Sequence, residues 1–495
     1  MLNGTVRPDF SQVEADALQV AADQRFALFY PERRPFFVEG CDQFNVPNTL
    51  VYTRRIVQPD AALKLTGRLG RTNISLLSAL DVAPAGVVNA RFRDKPLVDV
   101  VRLTRDFASG SQAGFLYSER VGARARNRVV GVDLRHVFGG MYYASLQVAG
   151  SLTSQSGITR SGVLWEAVVD RTGRAFGFHY NLIGIQPEFR TDNGVVARSG
   201  FVQPNAANRF TIYGRPGALF ERYNAFVSAT VLWRYADFFR GRSLLESRLS
   251  ANNQFTFRGG WSVSFNPALA TYAFDPAPYA GLQTPSAALP GGPEALPFTA
   301  SPRVTTGVYT AIVSTPQFRR FAAAVGATRA NDVDFLETSR VDRTAYSASL
   351  DLRPTGRLRI NATYNSNALQ READGFSSFS TRVPRLKAEY PVTRPIFVRV
   401  VSQYEATRRE ALRDWQTGRV LLVRGADGSY APSMVRRQNL LRTDWLFSYR
   451  PRPATVFFAG YGGSMTEPEA LAFAGLRRVS DAFFVKASVN VRREK

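Results

Sequence analysis

Stretch after stretch of this chain alternates apolar and polar residues one for one. In the last such stretch Phe483, Val485, Ala487, Val489 and Val491 fall on one face, and Phe484, Lys486, Ser488, Asn490 and Arg492 on the other. The same period runs through Leu441, Thr443, Trp445, Phe447 and Tyr449, through Ala225, Val227, Ala229, Val231, Trp233 and Tyr235, and through Leu358, Ile360, Ala362 and Tyr364. Successive side chains of a strand point to opposite faces, so each stretch predicts a strand with one greasy and one polar environment. A water-soluble sandwich alternates too. Length, number and aromatic placement favour a membrane-spanning barrel over it.

From Leu50 onward strand-like segments follow one another, with turn signals at Gly70, Gly139-Gly140, Gly173, Gly259-Gly260, Pro354-Thr355-Gly356, Asp427-Gly428 and Pro451-Arg452-Pro453. The segments predict an all-β fold, a transmembrane antiparallel β-barrel of about 16–20 strands, an even number being usual for bacterial barrels. Tight turns such as Arg353 to Arg357 contrast with the long stretch from Asp275 to Pro302, the asymmetry of short turns on one rim and long loops on the other. A disordered linker between two domains is the competing reading of that stretch. Tyr142-Tyr143, Trp165, Trp233, Tyr235, Trp261, Trp445, Tyr449 and Tyr461 stand near strand ends, where rings with a polar edge settle at a lipid-water boundary. In a soluble sandwich the same rings would be core.

Residues 1–48 do not alternate cleanly, and prolines at 8, 31 and 35 discourage a central strand there. A weak helical signal covers Gln12 to Gln24. The chain is therefore divided into an N-terminal plug segment, 1–48, and a barrel, 49–495. Met1 to Phe10 has neither a basic n-region nor an apolar h-region, so no signal peptide is read and a truncated start is expected.

Composition narrows the chemistry. No run of 18 apolar residues exists, which excludes a spanning helix and leaves a spanning barrel open. The 63 Lys and Arg against 40 Asp and Glu leave a formal charge of +23, a field suited to anionic solutes or lipid. The arginines recur singly on strands and in turns, with no helix-turn-helix, zinc-ligand or RNP-type run, so no nucleic acid is expected as a partner. The single Cys41 and the two histidines, His136 and His179, give little material for a catalytic triad or a zinc site. His136 is read as structural. Asn331 to Asp334 with Glu337 lacks the glycine and the glutamate spacing of a calcium loop and is read as a solvated acidic loop. No metal and no cofactor is expected.

Pro8 to Asp16 with Phe29 to Gly40 resembles the paired signature that opens the bacterial domain of unknown function 5916 family. Further likenesses are the Arg353 to Arg357 turn, Val383 to Leu386 leading to Tyr390, Arg399 with Gln403-Tyr404, Leu441 to Tyr449, and Phe483 to Lys486, so that the resemblance runs from about residue 5 to the end. It implies an outer-membrane β-barrel of Gram-negative type, in a family whose activity is not established and whose domain usually follows a family-9-type carbohydrate-binding-like domain. No such domain is read within this sequence, which ends in Arg492-Arg493-Glu494-Lys495 where many barrels end in an aromatic residue.

The carboxylates of the N-terminal segment, Asp9, Glu14, Asp16, Glu32 and Glu39, could in principle flank a glycosidic bond. Arg33 and Arg34 beside Glu32 push its pKa down, the wrong way for a general acid, so no catalytic residue and no enzyme is expected. These acids are instead expected to form a lumen ion network with Arg on the polar strand faces, such as Arg359, Arg399 and Arg442. The resulting expectation is a porin-like transport component with an Arg-rich, partly plugged lumen, meeting outer-membrane lipid and lipopolysaccharide outside and anionic or carbohydrate solutes within. The alternatives are a closed barrel anchoring the carbohydrate-binding-like domain and an envelope glycoside hydrolase.

Overall fold

The structure is a computed structural model that describes residues 1–10, 13, 16–18, 25, 28–82, 94–286, 295–452 and 455–489. Glu14, most of the stretch Gln12 to Gln24, and Arg492 to Lys495 lie outside the described residues. Strands dominate, all antiparallel where they pair, and no helix is long and apolar enough to cross a membrane. Among the described residues twenty-two strands, and four further short ones in a separate small sheet, stand against the 16–20 expected. The period alone does not say whether adjacent short runs are one strand or two, and strands such as Phe321–Asp334, rich in Ala, Gly and Thr, alternate weakly in hydropathy.

The chain divides into two compact units, residues 1–13, 29–210 and 227–247 in the first and 14–28, 211–226 and 248–495 in the second. In the first, Leu2–Val6 pairs with Ala61–Leu69, and a meander of nearest-neighbour hairpins continues through Thr72–Leu80, Leu97–Ala108, Ser111–Val121, Ala125–Phe138, Tyr142–Gln155, Ile158–Thr172 and Phe176–Ile185. The opening residues thus contribute a strand, a role the sequence reading did not give them. Their alternation is too short to stand out from the charged residues that follow.

The second unit repeats the plan from Ser262–Tyr272 through Val304–Ser314, Phe321–Asp334, Ser339–Leu352, Arg359–Arg371, Ser377–Pro391, Ile396–Arg409, Arg436–Arg452, Thr455–Thr466 and Arg477–Val489. The described parts of its long connections are structured. Leu282–Pro285 and Ala295–Pro297 from one join Leu422–Arg424 and Tyr430–Pro432 from another in the small sheet. Buried Tyr279, Phe298 and Leu421 pack beneath it with Trp415 and Leu412. The described part of Asp275 to Pro302 is therefore a folded connection and not a linker.

Side-chain exposure is the reverse of that in a soluble protein. In Ala61–Leu69, Leu63 is 44% exposed and Lys64 2%. In Tyr142–Gln155, Val148 is 50% exposed and its neighbour Gln147 2%. Leu146 and Leu152 share the exposed face of that strand, while Ala149, Ser151 and Thr153 share the buried one. The next strand over does the same, with Val130, Val132 and Leu134 exposed against Asn127, Val129 and Asp133. In the second unit Trp445, Phe447 and Tyr449 are exposed, as are Phe483 and Val485. Water would penalise such a surface by roughly 25 cal/mol for each Å² of apolar area, so this face calls for an apolar surround.

Candidate functional site: the polar face and the segment docked on it

Strand connections in the first unit differ by end. Residues 70–71, 109–110, 139–141 and 173–175 close hairpins at one end, while 7–60, 81–96 and 186–200 bridge the other, together with the shorter 122–124 and 156–157. At the short-turn end rings follow one another across neighbouring strands. Phe107 stacks near His136 at 6.1 Å, His136 near Phe138 at 5.9 Å and Phe138 near Tyr142 at 5.6 Å, and Phe176 lies 5.3 Å from Phe210. Arg135 stands 3.8 Å over the Tyr143 ring. The belt puts His136 among rings.

Residues 29–60 lie on the other face, toward the long-connection end. Phe37, Phe44, Leu50 and Ile56 are buried there, as are Leu77, Val98, Val100 and Leu116 on the strands. Polar contacts fix the register of this docking. Lys64 Nζ donates to the carbonyls of Phe36 and Glu39, a cation at the C-terminal end of the short helix Pro35–Val38. Ser75 Oγ donates to Gln43 Oε1 at 2.9 Å, and the Asn48 amide reaches Gln147 Oε1 at 2.8 Å and Glu166 Oε2 at 2.9 Å. Buried Asp81 accepts the N–H groups of Val57 and Gln58 at 3.0 and 2.9 Å. At the far side Thr49 and Leu50 run so close to the connection 186–200 that a Cβ on Gly194 would lie 2.5 Å from Thr49 O, and only glycine fits.

Glu32 anchors the segment from within. Its carboxylate accepts Arg34 Nη2 at 2.7 Å, Arg34 Nε at 2.9 Å and Thr53 Oγ1 at 2.7 Å, while Arg34 Nη1 donates to Ile56 O at 2.6 Å and its guanidinium lies 4.3 Å over the Phe37 ring. Burial pushes the Glu32 carboxyl up, but the hydrogen bonds from the Arg34 side chain and backbone and from Thr53 outweigh it and hold the group below the usual carboxylate range. A general acid needs the opposite.

The expected network is therefore arranged differently. Glu32 pairs with Arg34 of its own segment, and the Arg33 N–H bonds the same carboxylate at 3.0 Å. Glu39 accepts from Asn3 at 3.0 Å, and Asp9 is exposed. Among the strand arginines, Arg359 pairs with Asp351 at 2.5 Å, Arg399 approaches Asp444 at 3.6 Å, and Arg442 is exposed on Arg436–Arg452. The preference is physical: an arginine two residues away reaches Glu32 without the entropy cost of a distant partner. In the second unit Asp16 is half-buried, the Leu18 N–H donates to Gln403 at 3.1 Å, and Arg25 lies 4.0 Å over Phe335.

Two charged clusters carry pairings that the sequence does not mark. Arg102 and Asp133 form a buried two-point ion pair. Glu337 accepts Arg371 Nε and Nη2 at 2.8 and 2.6 Å, and Asp334 binds Arg409 and Ser378. Asp334 and Glu337 are thus fully buried and not solvated, because arginines far along the chain fold over them. Among the described residues no group of three or more metal-ligating side chains exists.

Residues 1–68 match the profile of the family described as domain of unknown function DUF5916. That match covers the Leu2–Val6 strand, the docked segment and Ala61–Leu69. No curated protein matches the sequence. Similar solved structures include the siderophore receptor PirA from Acinetobacter baumannii (9% identity, 81% of this chain and 73% of that one, TM-score 0.49), the FrpB iron transporter from Neisseria meningitidis (8%, 86% and 78%, 0.48) and the siderophore receptor PiuA from Acinetobacter baumannii (9%, 87% and 79%, 0.46). Likeness of that degree transfers neither a ligand nor a transport role.

Proposed function

We propose that this protein is an outer-membrane β-barrel of a Gram-negative bacterium that passes solutes along its polar face, with residues 29–60 as a plug and no enzymatic activity. The observation that carries the reading is the inverted exposure: apolar side chains outward and polar ones buried, strand after strand, with a belt of rings at the short-turn end. Lipid and lipopolysaccharide then meet the apolar face. The formal charge of +23 and the arginines of the polar face favour anionic solutes. Long connections stand on the extracellular side in barrels of this kind, which would make the plug an insertion from that side.

The Glu32 carboxyl, held below its usual range by Arg34 and Thr53, supports a scaffold role for that acid. A second reading, a closed barrel serving as an anchor for a carbohydrate-binding-like domain, draws on the fully buried apolar seam of Phe37, Leu50 and Leu77 between segment and strands.

Refolding in detergent followed by planar-bilayer recording separates the readings. Replacing residues 35–57 with a Gly-Ser linker should raise the conductance while keeping heat-modifiable migration on gels. Unchanged, near-zero current in both proteins supports the anchor. A monomer that folds in plain buffer without amphiphile overturns the membrane reading altogether.

A further inference from the structure

The connection 186–200 turns back over the polar face of the first unit and is fixed there. Phe189 is buried, the Asn193 amide donates to Ser118 Oγ and Glu119 O at 2.9 Å each, the Asp192 N–H to Asn127 Oδ1 at 2.9 Å, and the Arg190 N–H to Ser151 Oγ at 3.1 Å. Beside it opens a cavity of about 910 Å³ lined by Arg55, Arg120, Arg160 and Arg190, with Glu188 and Asp192 as its only lining carboxylates among the described residues.

The four guanidiniums are not equivalent. Arg120 is held by Asp81 at 3.1 Å and by Arg55 O at 3.2 Å, and Arg190 by Asp192 at 2.6 Å. Arg55 donates Nε to Gly194 O at 3.0 Å, which leaves its outer nitrogens uncommitted to that bond. Among the described residues neither Arg55 nor Arg160 has a carboxylate partner. Two cations held in place and two left without a counter-charge, around one volume, is an arrangement that a neutral or cationic solute cannot complete. An oxyanion can, because the guanidinium fork matches carboxylate and phosphate oxygens two at a time.

We propose that this cavity binds small multivalent oxyanions, phosphate- or carboxylate-bearing solutes, with Arg55 and Arg160 meeting the ligand and Arg120 and Arg190 forming a fixed positive wall. This names the solute class for the transport reading and rests on it for its place in the cell, but the site itself can be tested without any current. Glu188 opposes the ligand from the same wall, so removing its charge strengthens binding. Salt weakens it, since the cavity opens to solvent.

The test is titration calorimetry of the full chain, refolded in neutral detergent, with sodium pyrophosphate and sodium citrate as probes and glucose as control. Both anions should bind, and R55Q/R160Q should weaken each by about tenfold or more, roughly 1.4 kcal/mol, while E188Q tightens them. R160Q alone, at an exposed side chain, keeps the test open if the double variant does not fold; heat-modifiable migration reports folding in every case. Binding of only one probe supports the site and assigns it to phosphate or to carboxylate chemistry. Anions that bind no better than glucose, or variants that bind as the parent does, overturn it. A protein that binds both anions yet passes no current keeps the site and loses the pore, and one that conducts without binding loses only the site.

Discussion

Arg102 reaches Asp133 across an intervening strand, Nη1 to Oδ2 at 2.5 Å and Nη2 to Oδ1 at 2.9 Å, with both side chains almost wholly buried. The strand between them contributes Gly114, paired directly opposite Asp133, and a Cβ built there would stand 2.3 Å from Arg102 Nη1. The missing side chain is what gives the guanidinium its path. Gly114→Ala should therefore displace Arg102 and unseat the pair. Asp133→Asn should cost about 3–5 kcal/mol, the range for stranding one member of a buried pair. Urea unfolding in detergent micelles reads both, and if either variant unfolds like the parent, the pair contributes nothing to stability.

The exposed face makes an opposite demand. Val148 and Gln147 are neighbours on one strand with opposite surroundings, so Val148→Arg should lose about 2–4 kcal/mol of folding free energy in lipid when that position lies near the bilayer midplane. Val148→Leu should be nearly silent. Refolding into vesicles, followed by the gel shift on heating, measures the difference. A soluble sandwich would accept the arginine at little cost.

Much of the fold was legible because alternation is a local property. Phe483, Val485, Trp445, Phe447 and Tyr449 lie on exposed faces of the strands that the period predicted. Other strands alternate less clearly. Phe321–Asp334 is built on alanine and threonine, and Ser377–Pro391 contains Pro384, which falls where pairing with Ile396–Arg409 lapses. The ion pairs were less legible still. Arg371 and Glu337 are 34 positions apart, and nothing in either segment marks its partner. Arg102 with Gly114 and Asp133 left one faint signal, a glycine inside an otherwise regular strand, which marks a close approach. Glu32 was expected to pair with arginines on the strand faces, whereas its partner is Arg34, two residues away.

That anchor carries a pH dependence. The Glu32 carboxyl is held below its usual range in the folded protein by Arg34 and Thr53. A depressed folded pKa means the contribution is fully present above the unfolded value and is lost as pH falls through the folded one. Limited proteolysis of the 29–60 segment should therefore show release on acidification below the ordinary glutamate range. Glu32→Gln should be released more readily at neutral pH and show a flatter profile, whereas an identical acid response in that variant would assign the effect to another group.

The docked segment can also be locked. Gln43 Oε1 and Ser75 Oγ meet at 2.9 Å, one on the segment and one on the strand Thr72–Leu80, so cysteines at the two positions, too far apart for a direct disulfide, can be bridged by a short bis-methanethiosulfonate spacer that reduction cleaves, with Cys41→Ser removing the competing thiol. Mass spectrometry establishes whether the Gln43→Cys/Ser75→Cys protein carries the bridge. If solute passes only when residues 29–60 shift on the polar face, the bridged protein should conduct less than the same sample after reduction, and the single-cysteine controls should not respond. Equal currents before and after reduction would mean that the segment stays in place during transport, leaving any pathway to run beside it.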